Sequence, residues 1–161
     1  MGKLLSWIVL GIFLVVVPFI SWYYLKQGLD FRKNALMELT PKDSISYNTD
    51  SLDIITRKTT LLVLTNGEGI SDIIPPILQQ FKNTDGFQVL SYDSLPGIQQ
   101  LPDKYLSDVR SRYSDKSFIL IDSALNIRNS YMHDMNSIRK MVEHIAIVIP
   151  RVKESDIKMK Q

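Results

Sequence analysis

Residues 59–71 read TTLLVLTNGEGIS, and the reading of this stretch decides the fold. Thr59 to Leu64 is a short run of apolar and β-branched residues, the composition of a strand buried on both faces. A run this short also suits a buried helix segment, but the glycines just beyond it favour a strand. Asn66-Gly67-Glu68-Gly69 then forms a loop, and a helix is expected from near Pro75-Pro76 to about Lys82, because proline suits a first helical turn.

Working outward, Phe87–Tyr92 (FQVLSY) reads as a second strand. Pro102–Tyr113 reads as a second helix, with Tyr105, Leu106, Val109 and Tyr113 on one face. Ser117–Asp122 is a third strand, Ser123 to Asn126 a turn, and Ile127–Met132 a fourth strand. Asp134 caps a last helix to about Ile149, whose apolar stripe is Met135, Ile138, Met141, Val142, Ile145 and Val148, and Pro150 ends it. The order β-α-β-α-β-β-α, with right-handed crossovers and an antiparallel terminal hairpin, is that of an α/β thioredoxin-like sandwich.

Upstream, residues 4–25 carry no charge. At ~1.5 Å per residue, such a helix crosses a hydrocarbon core of roughly 30 Å. Trp7 lies near one end and Trp22, Tyr23 and Tyr24 at the other, where amphipathic rings meet the two interfaces. A cleaved signal peptide has a shorter apolar core and a small-residue cleavage site; this run closes on bulky aromatics and reads as an uncleaved anchor. Lys3 flanks one side and Lys26, Arg32 and Lys33 the other, so charge alone does not orient it. The myristoylation pattern at Gly2 to Ser6 is redundant beside a spanning helix.

The expected organisation is an anchor over 1–25, a juxtamembrane stalk over 26–43, a thioredoxin-like domain over 44–150 and a polar tail over 151–161. Within the stalk, Asp30 is expected to cap a short helix through Phe31, Ala35, Leu36 and Leu39, with Pro41 ending it. Asp43 to Ser51 reads as an edge hairpin turning at Asn48 to Asp50. A net charge of +2 among 161 residues, evenly spread, argues against nucleic-acid binding.

The chain has no cysteine. Thiol–disulfide exchange requires a thiolate, so the usual chemistry of a thioredoxin-like fold is excluded. Three stretches nevertheless resemble the Sco (SenC) family of membrane-anchored, thioredoxin-like proteins that deliver copper to cytochrome oxidase. They are GLDFRKNALMELTPK after the anchor, the first strand with its loop, and SFILIDSALNIRNSY with its LID…IR..Y pattern. The resemblance implies a CxxxC loop and a distal histidine as copper ligands. Gly67 and Ser71 stand where the cysteines belong, and Ser114-Asp115 where the histidine belongs. All three ligands are missing, so no metal site is carried over. The chain resembles a degenerate member of the family.

Other constellations are weak. Asn66-Gly67-Glu68-Gly69 lacks the endings of a P-loop or a dinucleotide fingerprint. Ser71 as a nucleophile needs a base in reach, and the two histidines, His133 and His144, are expected far from it. His144 is expected exposed or half-buried. Met132, His133 and Met135 offer soft donors for Cu(I), but Asp134 reads as a helix cap and Met135 as core. The expectation is therefore a non-enzymatic accessory or assembly protein of a respiratory membrane complex, such as cytochrome oxidase, with no cofactor. Its partner would bind at Gly67, Glu68, Gly69, Ile70 and Ser71. The resemblance implies a single pass through the inner membrane with a periplasmic domain. The alternatives are a copper carrier using Met132, His133 and Met135, or a permanent structural subunit of a membrane complex.

Overall fold

A computed structural model describes residues 2–45, 55, 57–65, 69–103 and 105–149. The chain divides into two units, Met1–Glu38 and Leu39–Gln161. The first is a single helix, α1 (Gly2–Glu38), which runs through Pro18. At ~1.5 Å per residue it is about 55 Å long, well beyond a hydrocarbon core of roughly 30 Å. It is the one helix among the described residues long and apolar enough to cross a membrane. Its apolar side chains from Leu10 to Leu25 are exposed, as lipid-facing residues are. Lys26 lies over the Trp22 ring at 5.4 Å, and Tyr23 and Tyr24 pack edge to face. Asp30 does not begin a new helix: it is interior to α1, and the stalk expected over 26–43 continues the same helix to Glu38. No glycine or proline signal near Asp30 is strong enough to interrupt the hydrogen-bond ladder, and Gly28 alone costs only about 1 kcal/mol.

The second unit is built on one mixed six-stranded sheet. The strands are β1 (Asp43–Ser44), β2 (Thr59–Val63), β3 (Phe87–Ser91), β4 (Gln99–Gln100), β5 (Phe118–Ile121) and β6 (Asn126–Tyr131). Their order is β1-β6-β5-β2-β3-β4. β2 pairs parallel with β3 and antiparallel with β5, and β5 pairs antiparallel with β6. The helices are α2 (Ile70–Gln80), α3 (Ser107–Arg112) and α4 (Met135–Val148). The α/β class and mixed sheet agree with the sequence reading; β1 and β4 are short additions at its two edges. β1 pairs with β6, and the hairpin expected across 43–51 falls mostly outside the described residues.

All five residues of β2 are buried, which explains its continuous apolar run. Alternation sends Leu61 and Val63 to one face and Leu62 and Leu64 to the other. The first face packs against Ile70, Ile74 and Ile77 of α2 and Met141 and Ile145 of α4. The second packs against Val109 of α3, together with Leu90, Tyr92, Ile119, Ile121 and Ile127. The sheet is therefore covered on both sides.

Two helices differ from expectation. α2 starts at Ile70, so Pro75 and Pro76 lie inside it. The apolar spacing of Ile70, Ile74 and Ile77 outweighs the two lost N–H donors, because those three side chains are buried in the core. α3 starts only at Ser107, after a turn in which Leu106 takes φ +55°. The Tyr92 hydroxyl fixes that turn, lying 3.0 Å from the Tyr105 carbonyl and 2.9 Å from that of Leu106. Burial pushes the Tyr92 phenol up to about 12, against the lowering effect of Arg110. The Arg110 guanidinium lies 4.8 Å from the ring centre.

The β5–β6 hairpin closes around Asp122, which is buried. Its carboxylate accepts from the backbone N–H of Ala124 and Asn126 at 2.9 and 2.8 Å, and from Asn126 Nδ2 at 3.1 Å. Arg128 adds Nε at 2.7 Å and Nη2 at 2.6 Å. The ladder shifts between Leu120 and Ile121, which face Asn129 and Ile127, leaving Arg128 as the extra residue of a bulge. Burial alone would raise the Asp122 carboxyl, but the hydrogen bonds from Asn126, Arg128 and Ala124 hold it below the usual carboxylate value.

The sign of the pH effect follows. A depressed folded-state value gives stability that is fully present above the unfolded value of about 3.9 and lost as pH falls through the folded one. Asp122→Ala should lower unfolding stability at pH 7 by about 2–4 kcal/mol, because it leaves the turn amides and Arg128 without their acceptor. Chemical denaturation of the full chain in detergent at pH 7 and at about pH 2.5, below the unfolded carboxylate value, measures this. The difference between wild type and variant should shrink at the lower pH.

Candidate functional site

The loops that follow β2 and β6 and precede β5 meet at one end of the sheet. Leu64 N–H donates to the Ser117 carbonyl at 2.9 Å, and Ser117 N–H donates to that of Tyr131 at 2.9 Å. β2 then leads through the loop to Gly69, which precedes α2, while β6 leads through Met132 and His133 to Asp134, which precedes α4. Both helices therefore start at this end.

Gly69 takes φ +87°, the left-handed region in which a side chain is strained. Its carbonyl accepts from Asp72 N–H at 3.2 Å, closing the first turn of α2. A Cβ placed on Gly69 would sit 3.6 Å from His133 Cε1 and 3.8 Å from Nε2. The loop expected to bind a partner and the Met–His segment weighed as a metal site are thus neighbours, 64 residues apart in sequence. The Asp134 cap is legible locally, the start of α2 at Ile70 is not, and no local signal reveals that the two helix starts are neighbours.

Of the expected contact residues, Gly67 and Glu68 lie outside the described residues. Gly69 and Ser71 are exposed, whereas Ile70 is fully buried. Ile70 is corrected from contact residue to core: the first turn of α2 rotates it beneath the loop, against the sheet. Ser114 and Asp115, where a distal histidine would stand, are exposed in the turn before β5. A hydrogen bond from Lys116 holds the Asp115 carboxyl below its ordinary value.

Asp134 caps α4 as expected, its Oδ1 accepting from Ser137 N–H at 3.0 Å. That bond also keeps its carboxyl below the usual range. Met135 is not core: it is 75% exposed, and Met132 is 49% exposed. The stripe of α4 begins one turn later, at Ile138, which packs against the core while Met135 stays outside it. Among the described residues, these two methionines are the only large apolar side chains exposed in the second unit; the others belong to α1. The two methionines stand three positions apart at the entry to α4, and flexible thioethers suit adaptable contacts.

His144, expected at or near the surface, is buried, with Nδ1 2.8 Å from the Tyr131 hydroxyl. It is a core polar pair on α4 and β6, away from the exposed face. His133 is exposed. Among the described residues, no group of three or more His, Cys, Asp or Glu side chains is placed to hold a metal ion. The donors at the loop do not fit the copper site of the Sco pattern, since a glycine and a hydroxyl supply no thiolate. Compared with known proteins, the chain matches no family model and no curated protein.

Gly69→Val should destabilise the fold by about 1–3 kcal/mol, because a β-branched residue is held in the left-handed region beside the His133 ring. Thermal unfolding of the purified chain reads the loss. Ser71→Val, on a helical and exposed position, should leave the midpoint within about 0.5 kcal/mol of wild type.

Proposed function

We propose that this chain is a membrane-tethered, non-catalytic accessory or assembly factor of a respiratory membrane complex, such as cytochrome oxidase. α1 spans the inner membrane once, and the second unit is a thioredoxin-like domain on the periplasmic side. Several features support the fold reading. The order β6-β5-β2-β3, with β2 and β3 parallel and the other pairs antiparallel, has α2 and α4 on one face and α3 on the other. The resemblance of the linker, the first strand and the hairpin to Sco proteins supports the respiratory setting. The missing thiols argue for binding over exchange chemistry.

One observation carries the binding reading. The exposed thioethers Met132 and Met135 lie at the end of the sheet where Gly69 meets His133. In this reading a partner subunit covers Met132, His133 and Met135 together with Gly69 and Ser71. Burying a methionine side chain contributes about 1.5–3 kcal/mol, so two of them account for an affinity difference well above tenfold.

The test is mild-detergent purification of the full chain after cross-linking in native membranes, with the co-purifying subunits quantified. Met132→Glu/Met135→Glu should reduce recovery of a stoichiometric membrane partner by more than about tenfold, since each charge would be desolvated in the interface. Undiminished recovery would place the partner elsewhere. The copper-carrier reading uses the same three side chains and predicts something different: tight Cu(I) uptake that disappears in Met132→Ala/His133→Ala. Such uptake would replace the accessory reading.

A further inference from the structure

The layer formed by α2 and α4 has a second end, away from Gly69 and His133. β2 and β6 run in the same direction, since each pairs antiparallel with β5. The helices that follow them return over the same face of the sheet, so both finish at the opposite end. β3 starts there, with Phe87 level with Thr59 in the parallel register. An open groove of about 480 Å³ lies at this point, lined by Leu78, Gln79, Phe81, Lys82, Thr84 and Phe87. The Phe81 and Phe87 rings sit 5.2 Å apart, and Gln79 and Lys82 are exposed. Leu78 and Phe87, and Ile147, Val148 and Ile149 where α4 ends, are half-buried against one core. The layer is incompletely covered where the chain leaves α4.

Twelve residues follow Ile149, PRVKESDIKMKQ, outside the described residues. We propose that this C-terminal segment folds back as an extended strap and seats Ile157 and Met159 in the groove. In the run Asp156-Ile157-Lys158-Met159-Lys160, alternation puts the two apolar side chains on one side of an extended chain and the charges on the other. Ile157 lies eight residues beyond Ile149, a reach of up to roughly 26 Å. That exceeds the whole length of α2, about 16 Å. Glu154 and Asp156 complement the Lys82 ammonium at the rim, and Lys158 complements the exposed Asp85 beside it. Tethering holds the segment at about millimolar local concentration, so a contact too weak for a separate peptide is filled within one chain. The strap ties the end of α4 to α2 and β3, whatever binds at the Gly69 end.

The chain lacks cysteine, so introduced thiols are the only ones present. In the full chain in detergent, a short bis-maleimide should bridge Gln79→Cys to Lys158→Cys at least about tenfold faster than Ser71→Cys to Lys158→Cys. Gln79 and Ser71 are both exposed on α2, so the comparison reads position rather than access. Peptide mass spectrometry quantifies both products. Ile157→Asp/Met159→Asp should bring the first rate down to the second, since each charge would be desolvated in the groove. Equal rates for the two pairs overturn the proposal. Preferential bridging that survives Ile157→Asp/Met159→Asp also overturns it, because it then reports only where α4 ends. Bridging between two chains rather than within one gives the groove to a second copy and rejects the strap. The segment carries four cations, Arg151, Lys153, Lys158 and Lys160, so the measurement is repeated in phosphatidylcholine and phosphatidylglycerol nanodiscs. A rate that drops to the control value with the anionic lipid would assign the segment to headgroups instead; an unchanged preference in both supports the strap.

Discussion

A single buried carboxylate governs how the second half of this domain is laid out. Asp122 gathers two turn amides, the Asn126 side chain and the Arg128 fork at 2.6–3.1 Å. Arg128 can reach it because the bulge at that position removes it from the ladder. The same extra residue rotates the strand. Ile127 and Tyr131 are four positions apart and would share a face in a regular strand. Instead Ile127 packs on the α3 side and Tyr131 on the α2–α4 side. A hairpin without this bulge would send one of them into the wrong layer. Tyr131 in its proper layer meets His144 of α4 and brings Met132 and His133 to the end of the sheet where Gly69 turns.

The Arg128 guanidinium also donates to the Leu39 carbonyl at 3.1 Å. Leu39 is the first residue of the second unit and is buried in its core. Lys42 N–H and Ile45 N–H then add β1 to the outer side of β6. The point where the chain enters the domain is therefore tied to the hairpin by both a charge-assisted bond and a short ladder.

At the other end of the sheet, the left-handed glycine turn before α2 meets the segment that leads into α4, in a chain without any thiol. The glycine turn before α2 keeps its left-handed backbone, and α4 starts beside it from a capped aspartate. Exposed there are two thioethers and an imidazole, with no thiol among them. The absence of a thiol is why the proposed role is contact rather than thiol–disulfide exchange.

Much of this was legible in the sequence, for physical reasons that differ by element. The apolar run of α1, the β-branched run of β2 and the Asp134 cap are local signals, and each needs only its neighbours to take effect. The absence of cysteine excludes thiol exchange whatever the fold. Elements that local signals misplaced are those where tertiary burial outweighed propensity. Ile70, Ile74 and Ile77 pulled α2 back past two prolines, and the Tyr92 hydroxyl held 105–106 out of α3. The exposure of Met135, the burial of His144 and the approach of His133 to Gly69 have no local signature at all. The sequence by itself determined the membrane-length helix, the α/β alternation and the missing thiols, because each follows from composition and short-range periodicity. Only the tertiary structure decided which residues share the exposed end of the sheet, because that depends on long-range strand pairing and on one bulge that rotates β6 between two cores.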